Sequence, residues 1–237
     1  LLNLKQKTEQ GLATGKLSGE YRLLPEYLQK MADAINSDEI EPEKIDEKWR
    51  EVLVSFRDLM EAGCPIMLTP QDSPSVAGEA GKVDWEVRFN IRTRESREFE
   101  AEVEPYRNLV EELNDGIKNY LEENPPVPKI FVGDQFIANG PNTHWFTRGE
   151  VSKTSIVAHT NSVLDVARVG ALPALRKMFG VDIVDQGVFE KSTIMDNLLH
   201  ELGHVVARKK DGKITNRVGG GNRDVEELKA DSTNLKL

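Results

Sequence analysis

The segment that most constrains this chain is residues 198–206, which read Leu-Leu-His-Glu-Leu-Gly-His-Val-Val. Its two histidines, His200 and His204, are four residues apart, and residues with that spacing lie one above the other on the same face of an α-helix. The apolar residues around them recur at helical spacing. The segment therefore predicts a helix that brings two imidazoles together, with Ser192 and Thr193 as the predicted caps of its start.

Two imidazoles at this spacing are typical of a zinc site. Glu201 directly follows His200, so it can reach a water on the ion without being the natural third ligand. We therefore predict that Glu201 is the general base of a zinc hydrolase. The alternative is an amphipathic helix whose two histidines have structural partners, and the five-residue pattern alone does not decide between them.

A catalytic zinc ion takes three protein ligands and leaves one position open. Residues 225–231 form a second helix-like segment, in which Glu227 and Asp231 are four residues apart and share a face. We predict that Glu227 completes the ligand set of one Zn²⁺ per chain. Asp231 then accepts the free N–H of a metal-bound histidine and fixes its tautomer. Glu226 lies beside these residues in the surrounding shell and is the rival third ligand.

The chain has 237 residues, enough for one large domain or two small ones. We predict a helical N-terminal region at 1–63 and a linker or loop rich in Pro, Gly, Ser and Ala at 64–82. The catalytic region follows at 83–237. The expected fold class is α+β and predominantly helical.

Charge and composition limit the classes of partner that we expect for this chain. The formal net charge of −9 disfavours nucleic acid, because an acidic chain repels phosphates. No apolar run is long enough to cross a membrane. The single cysteine, Cys64, allows no internal disulfide and is predicted to be a small buried or loop thiol. We expect a cytoplasmic protein, although the chain begins at Leu1 and leaves a removed leader open. The sequence carries no signal for oligomeric state.

Periodicity predicts the remaining elements. Residues 1–19 show no clear period and are expected to be a loose start. Helices are expected at 20–35, at 42–62 with a stop at Gly63, at 95–123 with an interruption at Pro105, and at 162–179 with a break near Gly170 and Pro173. Strands are expected at 83–91, 129–132 and 155–158. In 83–91 apolar and polar residues alternate, which predicts a half-exposed strand whose polar face meets solvent or lines a cleft.

The two metal-motif segments resemble the signature motifs of the dipeptidyl peptidase III family. These are zinc exopeptidases that remove dipeptides from peptide N-termini. The more specific of the two is Glu-Glu-Leu-Lys-Ala-Asp at residues 226–231. Most family members carry one more residue between the two histidines, but a helix accommodates the four-residue spacing without strain.

The resemblance extends to further segments and implies substrate-binding residues. Asn139-Gly140-Pro141-Asn142 resembles the family's Asn-x-Pro-Asn, which implies that Asn139 and Asn142 bind the substrate backbone. Glu86 matches a glutamate that holds the substrate's amino terminus. Two residues on, the family has a tyrosine that polarises the scissile carbonyl, and this chain has Arg88. We predict that Arg88 is catalytic, as a cation that stabilises the oxyanion.

The resemblance covers residues 80–237 and implies a zincin-like helical zinc lobe, a smaller lobe with a short β-sheet, and a cleft between them for the peptide substrate. Family catalytic domains continue past the second motif, which implies a fragment or a compact member. The predicted function is zinc-dependent hydrolysis of short peptides with release of N-terminal dipeptides. The alternatives are an endopeptidase of the broader glutamate-ligand zincin class and a non-catalytic zinc-binding or scaffold protein.

Overall fold

The structure is a computed structural model that describes residues 1–37, 42–72, 85–117, 127–139, 149–151, 155–180, 185–206 and 231–232. Its helices are α1 (Leu2–Ala13), α2 (Leu24–Ile35), α3 (Pro42–Glu61), α4 (Arg94–Ile117), α5 (Thr160–Val169), α6 (Ala171–Phe179) and α7 (Gln186–Val205). Its strands are β1 (Ile66–Asp72), β2 (Trp85–Ile91), β3 (Lys129–Asn139), β4 (Gly149–Val151) and β5 (Ser155–His159). The described chain is predominantly helical with a small mixed sheet, which confirms the α+β class.

The chain divides into two compact units, Leu1–Arg92 with Gln135–His144 and Thr93–Asp134 with Trp145–Leu237. The first unit is built on α2 and α3, whose apolar stripes face each other. The ring of Tyr27 packs on that of Phe56 at 5.9 Å between centroids, and the Tyr27 hydroxyl donates to the Leu68 carbonyl of β1. Helix α3 ends at Gly63, whose φ of 86° is a left-handed conformation that glycine adopts at no steric cost. The helices predicted over 20–35 and 42–62 are thus confirmed.

The N-terminal residues differ from the prediction of a loose start, because Leu2–Ala13 form α1. The helix packs against α2, where Lys5 Nζ donates to Gln29 Oε1 at 3.0 Å. Thr8 is buried and donates to the Leu4 carbonyl. No apolar stripe runs along this helix, so its sequence carries no periodic signal. Tertiary contacts stabilise the helix instead.

The strand pair of the first unit differs from two of the predictions made from the sequence. Strand β1 lies within residues 64–82, where a linker or loop is predicted, and pairs antiparallel with β2. The polar face of β2 is buried: Arg88 and Asn90 are 2% and 0% exposed, whereas Phe89 is only half-buried. Asn90 Nδ2 donates to the Met67 carbonyl at 3.2 Å, so a backbone acceptor replaces the expected solvent. The predicted domain limits remain a prediction.

In the second unit, α7 packs against α4 and against a group of three strands. Strand β5 lies between β3, to which it is parallel, and β4, to which it is antiparallel. The strand predicted at 155–158 is confirmed, and β3 is one long strand where a short one is predicted. The core consists of buried apolar side chains from these elements: Phe99, Val103, Val110, Val127, Ile130, Val132, Ile156, Ala158, Ile194, Leu198, Leu202 and Val205.

Helix α4 continues through Pro105, where an interruption is predicted. The buried Arg107 braces this turn by donating to Glu104 and Glu111, each at 2.8 Å, and to the Val127 carbonyl at 3.4 Å. These charge-assisted bonds compensate for the backbone bond that proline cannot make. The predicted break at Gly170 is confirmed, since it separates α5 from α6. Within the described residues, no helix is both long and apolar enough to cross a membrane.

Arg92 connects the end of β2 to the end of α3. Its Nη1 donates to the carbonyls of Met60 at 2.7 Å and Cys64 at 3.4 Å, and its backbone N–H donates to the Pro65 carbonyl at 2.8 Å. The residue is 7% exposed. A cation at the end of a helix satisfies carbonyls that have no partner within the helix.

Replacing Arg92 with methionine keeps the aliphatic stem but removes these charge-assisted donors, so the Met60 carbonyl keeps the Gly63 N–H at 3.0 Å and loses its bond to the guanidinium. We expect a loss of about 1–3 kcal/mol in the free energy of unfolding, measured by urea denaturation. Arg94→Met is the matched control, because the Arg94 side chain is 94% exposed and pairs with Glu98 on the surface. Equal stability of the two variants would contradict the role of Arg92.

Candidate metal centre

Helix α7 carries both histidines and starts earlier than predicted. Its N-cap is Asp185, whose Oδ1 accepts a hydrogen bond from the Val188 N–H at 2.8 Å. Ser192 and Thr193, the predicted caps, lie inside the helix, because an acidic cap further upstream already satisfies its first donors. At the other end, Asn114 Nδ2 of α4 donates to the Val205 carbonyl at 3.2 Å.

Two different stripes of α7 are buried. Ile194, Leu198, Leu202 and Val205 pack into the apolar core of the second unit. Polar residues form the neighbouring stripe, and Asn197, Glu201 and His204 are each only 8% exposed. Burying polar groups costs free energy unless they are hydrogen-bonded or bind a ligand.

The two imidazoles converge as their spacing predicts. His200 Nε2 and His204 Nε2 are 3.1 Å apart, and the rings are nearly perpendicular at 88°. Two nitrogens that each lie about 2.0–2.1 Å from one tetrahedral zinc ion are about 3.3–3.4 Å apart. The observed separation therefore fits a shared ion after a small adjustment. It equally fits a hydrogen bond between two neutral imidazoles.

Asp231 supports one of the two rings. Its Oδ1 lies 2.8 Å from His200 Nδ1, which makes the contact that the sequence analysis predicts between Asp231 and a histidine of the pair. A carboxylate at this nitrogen favours the tautomer with the proton on Nδ1. The Nε2 lone pair of His200 then points towards His204 and is available to a metal ion.

The third ligand stays a prediction. Within the part of the chain that the structure describes, no three His, Cys, Asp or Glu side chains gather as a metal site. Glu227 and its rival Glu226 lie outside the described residues. The described donors are thus two imidazole nitrogens, a donor set that suits zinc but needs a further ligand.

Glu201 lies on the buried side of α7, one turn after Asn197. Asn197 Nδ2 donates to Glu201 Oε1 at 3.4 Å, a long hydrogen bond. Asn197 is not among the site residues predicted from the sequence. Its position four residues before Glu201 was the available signal, because i,i+4 residues are neighbours on a helix surface.

The structure describes the residues implied by the family resemblance less completely than it describes His200 and His204. Arg88 is a buried residue of β2 in the first unit, and a catalytic role for it remains a prediction. Glu86 lies in β2 and Asn139 is the last residue of β3, but the structure describes only their backbone. Asn142 lies outside the described residues.

Comparisons of the chain with protein families, curated proteins and solved structures find no match. The resemblance to dipeptidyl peptidase III therefore depends on the motifs themselves. What supports a metal centre is the geometry of His200, His204 and Asp231.

Asp231→Ala removes the acceptor at His200 Nδ1 while leaving both proposed imidazole ligands in place. We expect zinc affinity to fall by about 10–100-fold, because loss of such a supporting carboxylate frees the ring's orientation and lowers its basicity. Competition with a chromophoric chelator measures this affinity. Asp165→Ala is the control, since Asp165 is an exposed carboxylate of α5 that pairs with Arg168. Unchanged affinity in the Asp231 variant would contradict the supporting role.

Proposed function

We propose that this chain is a zinc-dependent peptidase that acts on short peptides in the cytoplasm and releases dipeptides from their N-termini. The observation that carries the proposal is the convergence of His200 Nε2 and His204 Nε2 to 3.1 Å, with Asp231 behind one ring. These residues fit zinc, with Glu227 as the proposed third ligand. Bound zinc supplies Lewis-acid chemistry, which acidifies water and polarises a carbonyl.

Each residue of the proposed site has its own role in hydrolysis. His200 and His204 would hold the ion, and Asp231 keeps the proton of His200 on Nδ1. A carboxylate oxygen of Glu201 takes a proton from the water that attacks the peptide carbonyl. Glu201 returns that proton to the leaving amine nitrogen as the C–N bond breaks. The burial of Glu201 supports this role, because a carboxylate shielded from water interacts more strongly with the charges around it.

The exopeptidase specificity rests on the family resemblance. In this proposal Glu86 binds the free amino terminus of the substrate, and Asn139 and Asn142 bind its backbone. Arg88 stabilises the oxyanion in the position of the family's tyrosine. The zincin-like division into a helical zinc lobe and a smaller lobe, with a cleft between them, belongs to the same proposal.

Glu201→Gln tests the chemistry directly. The amide has the same shape but cannot accept a proton, so we expect zinc content near one per chain and peptide hydrolysis reduced by about 10²–10⁴-fold. Elemental analysis gives the metal content, and release of dipeptides from a free-amine peptide gives the rate. Retained hydrolysis would remove Glu201 from the mechanism. Wild-type protein that contains much less than one zinc per chain would favour a non-catalytic role.

One peptide in two forms tests the specificity. If a carboxylate reads the substrate's amine, N-acetylation removes the charge that it binds, and the rate of dipeptide release should fall to background. The unmodified peptide should be cleaved two residues from its amino terminus. Mass spectrometry of the products shows which bond is cleaved in each form of the peptide. Equal cleavage of both forms at internal bonds would instead indicate an endopeptidase.

A further inference from the structure

Asn197 lies on the side of α7 that carries the proposed catalytic groups, one turn before Glu201. Its amide nitrogen donates to Glu201 Oε1 at 3.4 Å. An acceptor-only group such as a carboxylate is oriented by donors, because each hydrogen bond to one oxygen restricts rotation of the whole group. The contact therefore restrains the orientation of the Glu201 carboxylate.

The other atom of the same amide shows that this side chain is not optimised for stability. Asn197 Oδ1 is buried and, within the described residues, has no hydrogen-bond partner. Asn197 as a whole is 8% exposed. A buried acceptor without a partner costs free energy, and an apolar residue of similar size would avoid that cost. Buried polar groups of this kind are common where function, and not stability, determines the residue.

We infer that Asn197 is a positioning residue for the general base: by donating from Nδ2 to Glu201 Oε1 it restrains the carboxylate that takes a proton from the attacking water. This role rests on the proposed peptidase function. In this role Asn197 acts through Glu201 and not through direct contact with metal or substrate. Its loss therefore affects the chemical step and leaves zinc and peptide binding as they are.

Asn197→Leu removes the donor and keeps the side-chain volume. In zinc-loaded protein we expect kcat to fall by about 10–100-fold, the loss typical of a misplaced catalytic group. KM should change by less than about twofold, because in the proposed role the residue acts on the base and not on the bound substrate. The zinc content should stay at the wild-type value. Asn197→Gln keeps an amide donor on a longer stem and should recover part of the lost kcat.

Two further variants separate positioning from a general effect on the helix. Thr193→Val is the matched control, since Thr193 lies one turn earlier on α7 and its hydroxyl donates to the Phe189 carbonyl within the same helix, so kcat should be unchanged. In a Glu201→Gln background, Asn197→Leu should reduce the residual rate by no further factor, because the group that it positions is already lost.

The outcomes distinguish this inference from the function on which it rests. Full kcat in Asn197→Leu, with wild-type hydrolysis intact, overturns the role of Asn197 alone. The role of Asn197 is also overturned if the effects of the two substitutions on kcat multiply independently in the double variant. A zinc-loaded wild-type chain that cleaves no free-amine peptide overturns the peptidase and the positioning role together. Loss of kcat with unchanged KM and zinc content, partial recovery in Asn197→Gln and no additivity with Glu201→Gln support the inference.

Discussion

The packing of α7 into the apolar core of the second unit is the interaction on which the proposed site depends. Ile194, Leu198, Leu202 and Val205 each bury an apolar side chain worth roughly 1.5–3 kcal/mol, on the order of 6–12 kcal/mol in gross terms. That gain offsets the cost of burying Asn197, Glu201 and His204 on the neighbouring stripe, of which an unpartnered acceptor accounts for about 1–3 kcal/mol. The helix can hold polar groups away from water because its other stripe is strongly apolar.

Elements whose signal is local could be predicted from the sequence. Helix α3 and the pair α5 and α6 have apolar residues at helical spacing and end at glycines, and the structure places them where that pattern predicts. The convergence of His200 and His204 is of the same kind, because a spacing of four on any helix brings two side chains together. Such features depend on the backbone geometry of a few neighbouring residues and need no knowledge of the rest of the fold.

Elements that depend on distant partners could not be predicted in this way. Asn90 is fully buried because the Met67 carbonyl on the neighbouring strand accepts its amide, whereas alternation alone predicts a polar face in solvent. Helix α4 continues through Pro105 because Arg107 binds two glutamates and the chain ahead of β3. Helix α1 has no periodic pattern and is held by its contacts with α2. For Asn90 and α1 the contacts are between distant residues, whereas for α4 the bonds to Glu104 and Glu111 lie within the helix and only the bond to the Val127 carbonyl is tertiary.

The same distinction applies to the candidate site and bears on whether its zinc would be structural or catalytic. Asp231 is 31 residues from His200, and its contact at 2.8 Å could be anticipated only because the spacing of Glu227 and Asp231 imitates the spacing of the histidines. Asn197 gives a weaker signal: its spacing of four residues from Glu201 is visible in the sequence, but an asparagine inside a helix is ordinary until its burial is known. A structural zinc site needs ligands and their supporting groups, and it gains nothing from a further carboxylate withdrawn from water. Glu201 is such a carboxylate, 8% exposed and held by an amide whose own oxygen lacks a partner among the described residues. A fold that needed only stability would place apolar residues at both positions, so their presence beside the two imidazoles favours catalysis.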